Sequence, residues 1–359
     1  MAARPARRPG KLRPLQIALI GFGHVGRRFA ELLGGPYGAI LRRAGLEVRV
    51  TAIATGRHGL AVDPRGLSLP RALALVEDGR SLSPLHKGKP LASTRALVAA
   101  APYDVLVELT PLSPLTGEPA TATIAAALRR GCHAVTANKG PVAHARRRLT
   151  GLARRRGVRF LHEGAVMDGF PIFNLAERCL RGAEVRGFRG VLNSTTTRIL
   201  SRMEAGVPFE VALGEAQAAG VAEADPANDL DGWDAAVKCC ALANALMDAD
   251  LRPADVERVS VRGISAEAVE AAARGGKRWR LVARAERTGR KVTARVAPEE
   301  LPLGDLLVSG GADGVLVLDT DLMGEVGLWE GTGGVDQTAY AVLSDLLEVA
   351  APLRHRTSP

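Results

Sequence analysis

The chain has 359 residues, 47% hydrophobic and 24% charged, a globular balance that excludes dominant disorder and allows two domains with a sizeable core. It holds no run of about 18 uncharged apolar residues, so no transmembrane helix is expected, and the basic start before Leu15 lacks a signal-peptide cleavage site. The net charge of +10 is spread over Arg-rich stretches and both tails, with only three Tyr and three Trp; this reads as a basic surface that attracts anionic small molecules, not as a nucleic-acid platform.

After a basic tail at residues 1–14, apolar runs predict strands at Leu15–Ile20, Val48–Ala54, Val105–Leu109, His133–Thr136 and Val158–Leu161. Helices are predicted between them at Val25–Leu33, Thr121–Arg130 and Ala143–Arg156. Strand and helix alternate as in βαβ units, so residues 15–162 are expected to form a doubly wound α/β domain on a parallel sheet. From residue 163 to 332 the pattern changes to short strands, at Gly187–Leu192, Val256–Ile264, Trp279–Glu286 and Lys291–Val296, with intervening helices. An α+β domain with a mixed sheet covered by helices on one face is expected there. An amphipathic helix at Thr338–Val349, within residues 333–350, is expected to pack back on the first domain, ahead of a tail at 351–359. Cys132, Cys179, Cys239 and Cys240 show no metal or redox spacing, which predicts reduced thiols and a cytoplasmic protein.

Gly21-Phe22-Gly23-His24-Val25-Gly26 joins the first strand to the first helix, the setting a G-x-G-x-x-G dinucleotide fingerprint requires. Gly21 makes the tight turn, Gly23 lets the backbone approach a pyrophosphate, and Gly26 permits close helix packing. After the second strand stand Thr55, Gly56, Arg57 and His58, with no carboxylate to grip the ribose of NAD. Arg57 is either a partner for the 2′-phosphate of NADP or an ordinary surface residue. Thr110, in Glu108-Leu109-Thr110-Pro111, is expected near the nicotinamide half of the cofactor or as a cap on the next segment.

The densest chemistry lies between Glu223 and Lys238 in E-A-D-P-A-N-D-L-D-G-W-D-A-A-V-K. Asp229 or Asp231 is expected to cap a helix starting near Gly232, which puts Asp234 and Lys238 one turn apart on one face. The uncharged stretch Cys239–Met247 requires that helix to be buried on most sides. Lys238 is thus either half of a surface ion pair or a lysine whose pKa desolvation lowers, able to exchange a proton at a reacting oxygen. Lys139, in Ala137-Asn138-Lys139-Gly140-Pro141, follows a predicted strand at the edge where parallel sheets bind ligands.

Taken together, G-F-G-H-V-G, E-L-T-P, A-N-K-G-P, E-G-A-V-M-D-G-F-P, N-S-T-T-T-R-I-L, the Glu223–Lys238 stretch and G-T-G-G-V-D-Q-T-A resemble homoserine dehydrogenase, in that family's order and over most of the chain. The resemblance implies reversible NAD(P)-dependent oxidation of L-homoserine to L-aspartate 4-semialdehyde. It implies Lys238 as the proton-transferring residue, Lys139 at the substrate oxygen and Asp234 as the residue orienting the lysine. Glu223, Asp229, Ser194 and Thr195 are implied in substrate binding, and Gly334 in cofactor contact. It also implies a homodimer and a sodium ion held by Glu163 and the backbone carbonyls of Val166, Asp168 and Phe170.

The sequence departs from the family pattern at Ser194 and Thr197, where the family often has Gly and Asn, and at Ala224, where Pro is usual. These bear on substrate fit more than on reaction type. With only Ala351–Pro359 beyond the last helix, no regulatory amino-acid-binding domain is expected. Competing readings are another two-domain NAD(P)-dependent amino-acid dehydrogenase and a non-catalytic nucleotide-sensing protein.

Overall fold

A computed structural model describes residues 14–308, 314–331 and 333–350; most of the basic N-terminal tail, the C-terminal tail and Thr332 lie outside them. The first half contains β1 (Leu15–Ile20), α1 (His24–Gly34), α2 (Pro36–Arg43), β2 (Val48–Ala54), β3 (Leu60–Val62), α3 (Leu69–Glu77), α4 (Thr94–Ala100), β4 (Val105–Glu108), α5 (Ala120–Arg129), β5 (His133–Thr136), α6 (Lys139–Arg156) and β6 (Phe160–Leu161). Their strands form one sheet in the order β3-β2-β1-β4-β5-β6. Every pair is parallel except β2 with β3. Side chains on β1 alternate between two cores. Ile17 and Leu19 pack with Phe29 of α1, while Ala18 and Ile20 pack with Ile124 of α5 and Leu149 of α6. A strand apolar on both faces must be covered on both, and this one is.

The second half contains α7 (Ile172–Asn174), β7 (Val185–Val191), α8 (Ser194–Glu204), α9 (Phe209–Ala218), α10 (Ala227–Leu230), α11 (Trp233–Leu246), β8 (Glu257–Arg258), α12 (Ala266–Arg274), β9 (Lys277–Thr288), β10 (Lys291–Pro302), β11 (Gly314–Thr320), β12 (Gly324–Glu330) and α13 (Val335–Ala350). Its sheet runs β12-β11-β7-β9-β10-β8, antiparallel except where β8 lies parallel to β10. Helices α8, α11 and α12 pack on one face. The expected strand Val256–Ile264 is shorter than predicted. Only Glu257 and Arg258 pair, because the Ser260 hydroxyl accepts from the Arg262 amide and turns the chain into a 3-10 turn. Strands β11 and β12 add to those predicted.

Two packing features position the site. The last helix, α13, crosses back to the first sheet, where Ala339, Val342, Leu343 and Leu346 are buried with Ile17, Leu19 and Phe29. Helices α6 and α11 lie against each other and are locked by Asn244. Its side-chain amide donates to the carbonyls of Ala143 and Leu251, each at 2.9 Å, and its oxygen accepts the Leu251 amide at 2.9 Å. Replacing Asn244 by Ala leaves these buried groups unpaired and is expected to destabilise the fold by about 1–3 kcal/mol, measured as a lower urea midpoint; an unchanged midpoint would contradict the lock.

Candidate active site

The glycine fingerprint forms a cradle at the start of α1. Gly21 has φ +98°, and a Cβ there would collide with the Leu109 carbonyl; a Cβ on Gly26 would come within 2.6 Å of the Gly21 carbonyl. At Gly23 a Cβ would meet nothing within 4 Å, so the backbone is open where a pyrophosphate would approach. Helix α1 has neither a side-chain cap nor an acidic residue in its first turn, which leaves its N-terminal amides and partial positive charge for an anion. These features fit a dinucleotide. Arg57 lies in the turn after β2, exposed and without a hydrogen bond or ion pair among the described residues.

At the same sheet edge, Glu108 is fully buried. Its carboxylate accepts the Thr110 amide at 2.8 Å, the Thr110 hydroxyl, and the Thr136 hydroxyl at 2.8 Å. Burial raises its carboxyl pKa, although these donors pull it down. Asn138 extends the network, giving its amide protons to the Thr110 and Pro111 carbonyls while its oxygen caps α6 through the Gly140 amide. Thr110 is therefore held by Glu108 and does not cap the following segment. Lys139 becomes the first residue of α6, which starts four residues before the predicted Ala143.

Lys139 and Lys238 meet at one carboxylate. Lys139 Nζ lies 3.1 Å from Asp234 Oδ1 and Lys238 Nζ 3.0 Å from Asp234 Oδ2, with the three side chains 16–21% exposed. Lys238 also donates to the Leu192 carbonyl at 2.6 Å. Burial alone would raise the Asp234 carboxyl, but the two ammonium groups outweigh it and hold it well below the usual carboxylate range. Burial would lower Lys238, but Asp234, helped by Asp168 and Asp229, prevails, and its pKa lies above the ordinary lysine value. The expectation of a lysine shifted down by desolvation is thus reversed, because a carboxylate one helical turn away compensates the lost water.

A family model described as homoserine dehydrogenase matches residues 171–347, and one described as homoserine dehydrogenase, NAD binding domain, matches residues 21–163. The chain belongs to the homoserine dehydrogenase family. It is 34% identical over 336 residues to the NAD(+)-dependent homoserine dehydrogenase of Pseudomonas canavaninivorans, covering 93% of this chain and 96% of the relative. It is 36% identical over 337 residues to the homoserine dehydrogenase of Methanocaldococcus jannaschii, covering 93% and 98%. Among solved structures, a homoserine dehydrogenase of Thiobacillus denitrificans superposes with a TM-score of 0.79 at 29% identity, covering 97% of this chain and 76% of that one. A hyperthermophilic archaeal homoserine dehydrogenase in complex with NADPH gives 0.78 at 29% identity, covering 94% and 98%.

Of the other residues that the homoserine dehydrogenase resemblance singles out, Asp229 is joined to this pair of lysines through Asn193. Asp229 accepts from the Asn193 side-chain amide at 2.7 Å, and the same nitrogen reaches Asp234 Oδ2 at 3.1 Å. Neither Asp229 nor Asp231 caps α11, contrary to expectation. The cap position is Gly232 at φ +75°, and Asp231 is taken by Ser260 and Arg262. Thr195 is buried and donates to the Val221 carbonyl; Ser194 is exposed at the start of α8, and Glu223 is exposed in the loop before α10. Gly334 sits at the start of α13, its carbonyl accepting the Thr338 amide and hydroxyl. The sequence assigns no role to Asn193, Glu108 or the Leu192 carbonyl; Asn193 standing before Ser-Thr-Thr-Thr at a helix start is the signal that points to a cap.

The turn after β6 carries Glu163, Val166, Asp168 and Phe170, the residues for which the resemblance implies a sodium ion. Glu163 is 3% exposed and makes no ion pair among the described residues. Its oxygens accept the Phe173 and Asn174 amides and the Asn174 side chain, and burial pushes its carboxyl up to about 7 against those donors. Met167, Asp168 and Gly169 are consecutive residues at positive φ, a conformation usually kept for sites that need it. A buried carboxylate lacking a paired cation, beside strained backbone, fits a hard monovalent ion. Among the described residues no group of three His, Cys, Asp or Glu side chains could hold a metal, so such a site would rely on carbonyl oxygens.

Gly26→Ala forces a methyl group against the Gly21 carbonyl and is expected to weaken NAD(P)H binding by about tenfold or more. Fluorescence titration of the reduced cofactor checks this, and unaltered affinity would count against the cradle.

Proposed function

We propose that this chain is a homoserine dehydrogenase that interconverts L-homoserine and L-aspartate 4-semialdehyde with a nicotinamide dinucleotide. The observation that carries the reading is Asp234 shared by Lys139 and Lys238, in a chain that also has the α1 cradle. A bound nicotinamide accepts hydride in oxidation and returns it in reduction. The chain itself has to orient the substrate and move one proton. In oxidation, neutral Lys238 takes the proton of the substrate hydroxyl; in reduction, protonated Lys238 gives it to the aldehyde oxygen. Lys139 stays near that oxygen as a cationic partner, and Asp234 fixes both amines. Asp229 and Glu223 are proposed for the substrate's ammonium group, and Ser194 and Thr195, at the start of α8 next to Asn193, as further substrate contacts.

Arg57 is proposed as the 2′-phosphate partner and Thr110 as the contact on the nicotinamide side, with Gly334 also near the cofactor. Glu163 and the carbonyls of Val166, Asp168 and Phe170 would hold sodium, whose charge would offset the buried carboxylate. Residues 15–162 act as the cofactor domain and 163–332 as the substrate and dimerisation domain. A homodimer through the outer face of the second sheet is supported by Trp329, 51% exposed and paired across β12 and β11 with Val315. No helix among the described residues is long and apolar enough to cross a membrane; the enzyme is proposed to work in the cytoplasm.

Lys238→Ala is expected to lower turnover about a hundredfold or more, and near-normal turnover would reject its role. The pH dependence has a definite sign. Lys238 is held protonated above the ordinary lysine range, so the neutral base needed for oxidation is scarce near neutrality and grows about tenfold per pH unit. Homoserine oxidation, followed as kcat/KM, should climb through about pH 7–9, whereas aldehyde reduction, which uses the protonated amine, should not; an oxidation rate flat over that range would contradict the assignment. Arg57→Ala is expected to raise KM for NADP about tenfold and leave that for NAD unchanged. Equal effects on the two cofactors in parallel assays would remove the phosphate role.

A further inference from the structure

The junction between β7 and α8 supplies two consecutive contacts to the paired lysine site. The Leu192 carbonyl accepts the Lys238 ammonium at 2.6 Å. The next residue, Asn193, is 3% exposed and divides its side chain between two tasks. Its oxygen accepts the Thr196 amide at 2.9 Å and the Thr196 hydroxyl at 3.0 Å, capping α8. Its nitrogen donates to Asp229 Oδ1 at 2.7 Å and to Asp234 Oδ2 at 3.1 Å. The orientation of the amide is fixed, because turning it over would aim its oxygen at two carboxylates and its nitrogen at an amide donor.

Asp or Ser would cap a helix about as well as Asn, so capping alone does not call for an amide here. Two carboxylates converging on one point do. They repel each other, and a neutral NH2 group satisfies both without adding charge. With Oδ2 held by Asn193 and Lys238, Asp234 presents Oδ1 to Lys139. The charged groups around Lys238 are Asp234 on its own helix, Asp229 on α10, Asp168 in the turn after β6, and Lys139 on α6 through the shared Asp234.

We propose that Asn193 is a positioning residue, holding Asp229 and Asp234 so that Asp234 aligns Lys139 and Lys238 for proton transfer. This rests on the reading of the chain as a homoserine dehydrogenase, and it adds a residue that never touches the reacting atoms. Two variants that keep the helix cap isolate the effect: Asn193→Asp, nearly isosteric but without the donor, and Asn193→Ser, too short to reach the acids. Both are expected to fold and to bind NADPH with unchanged affinity, with melting lowered by several degrees and more in Asn193→Asp, whose carboxylate stands beside Asp229 and Asp234. Both should lose about tenfold or more in kcat for homoserine oxidation, with KM for homoserine changing less than kcat. In Asn193→Asp the rising limb of the pH profile should also move to higher pH, because a further carboxylate joins Asp234, Asp229 and Asp168 in stabilising the charged lysine.

Retention of kcat within about twofold in both variants, with an unmoved pH profile, would overturn the proposal and leave Asn193 as a helix cap only. Should Asn193→Asp fail to fold, Asn193→Ser decides on kcat, KM and melting. Absence of homoserine oxidation in the unsubstituted chain would overturn the functional reading itself, a result distinct from an active parent with indifferent variants.

Discussion

Two ammonium groups sharing one carboxylate, mostly shielded from water, form the constraint around which the rest of the molecule is arranged. Lys139 and Lys238 repel each other, and Asp234 is the charge that lets both remain side by side. Such an arrangement holds only if its members are fixed from behind, since ion pairs removed from water offset their desolvation cost only with good geometry and further hydrogen bonds. The chain supplies those supports from four directions: Asn138 capping α6 before Lys139, the buried helix α11 under Asp234 and Lys238, the Leu192 carbonyl, and the Asn193 amide.

The fold brings these supports together by packing helices of different halves. Helix α6 belongs to the first sheet by connectivity, yet it lies against α11 of the second half and is pinned there by Asn244. The two lysines therefore form a prearranged pair on two locked helices, in keeping with the need for catalytic groups to stand ready before substrate arrives. The Glu108 network does the same for the rim, tying the ends of β4 and β5 so that Thr110 and Asn138 keep a fixed separation.

How much of this was legible follows from range. Strands β1, β2 and β5 could be bounded from sequence because each is a short apolar run buried on both faces, and the glycine fingerprint was readable because its steric demands lie within six residues. The pairing of Asp234 with Lys238 was legible through helical spacing. What escaped depends on contacts distant in sequence. Asn193 meets Asp229 and Asp234 across 36 and 41 residues, and Glu108 meets Thr136 across 28. The direction of the Lys238 shift was misread because the buried helix suggested desolvation, while the compensating charge could be weighed only with Asp234, Asp229 and Asp168 in place. The Val256–Ile264 strand was overextended because Ser260 ends it through a side-chain turn that hydrophobic pattern does not reveal.

The return of α13 to the first sheet has a consequence for how the protein is made. Val342, Leu343 and Leu346 fill the core behind β1 and α1, beside the glycine cradle. Because domains form as units while synthesis proceeds from the N-terminus, the nucleotide-binding half cannot close its apolar interior until residues near 346 have left the ribosome. Its assembly waits for the synthesis of α13, and a ribosome that stalls before that helix leaves Ile17, Leu19 and Phe29 without part of their cover.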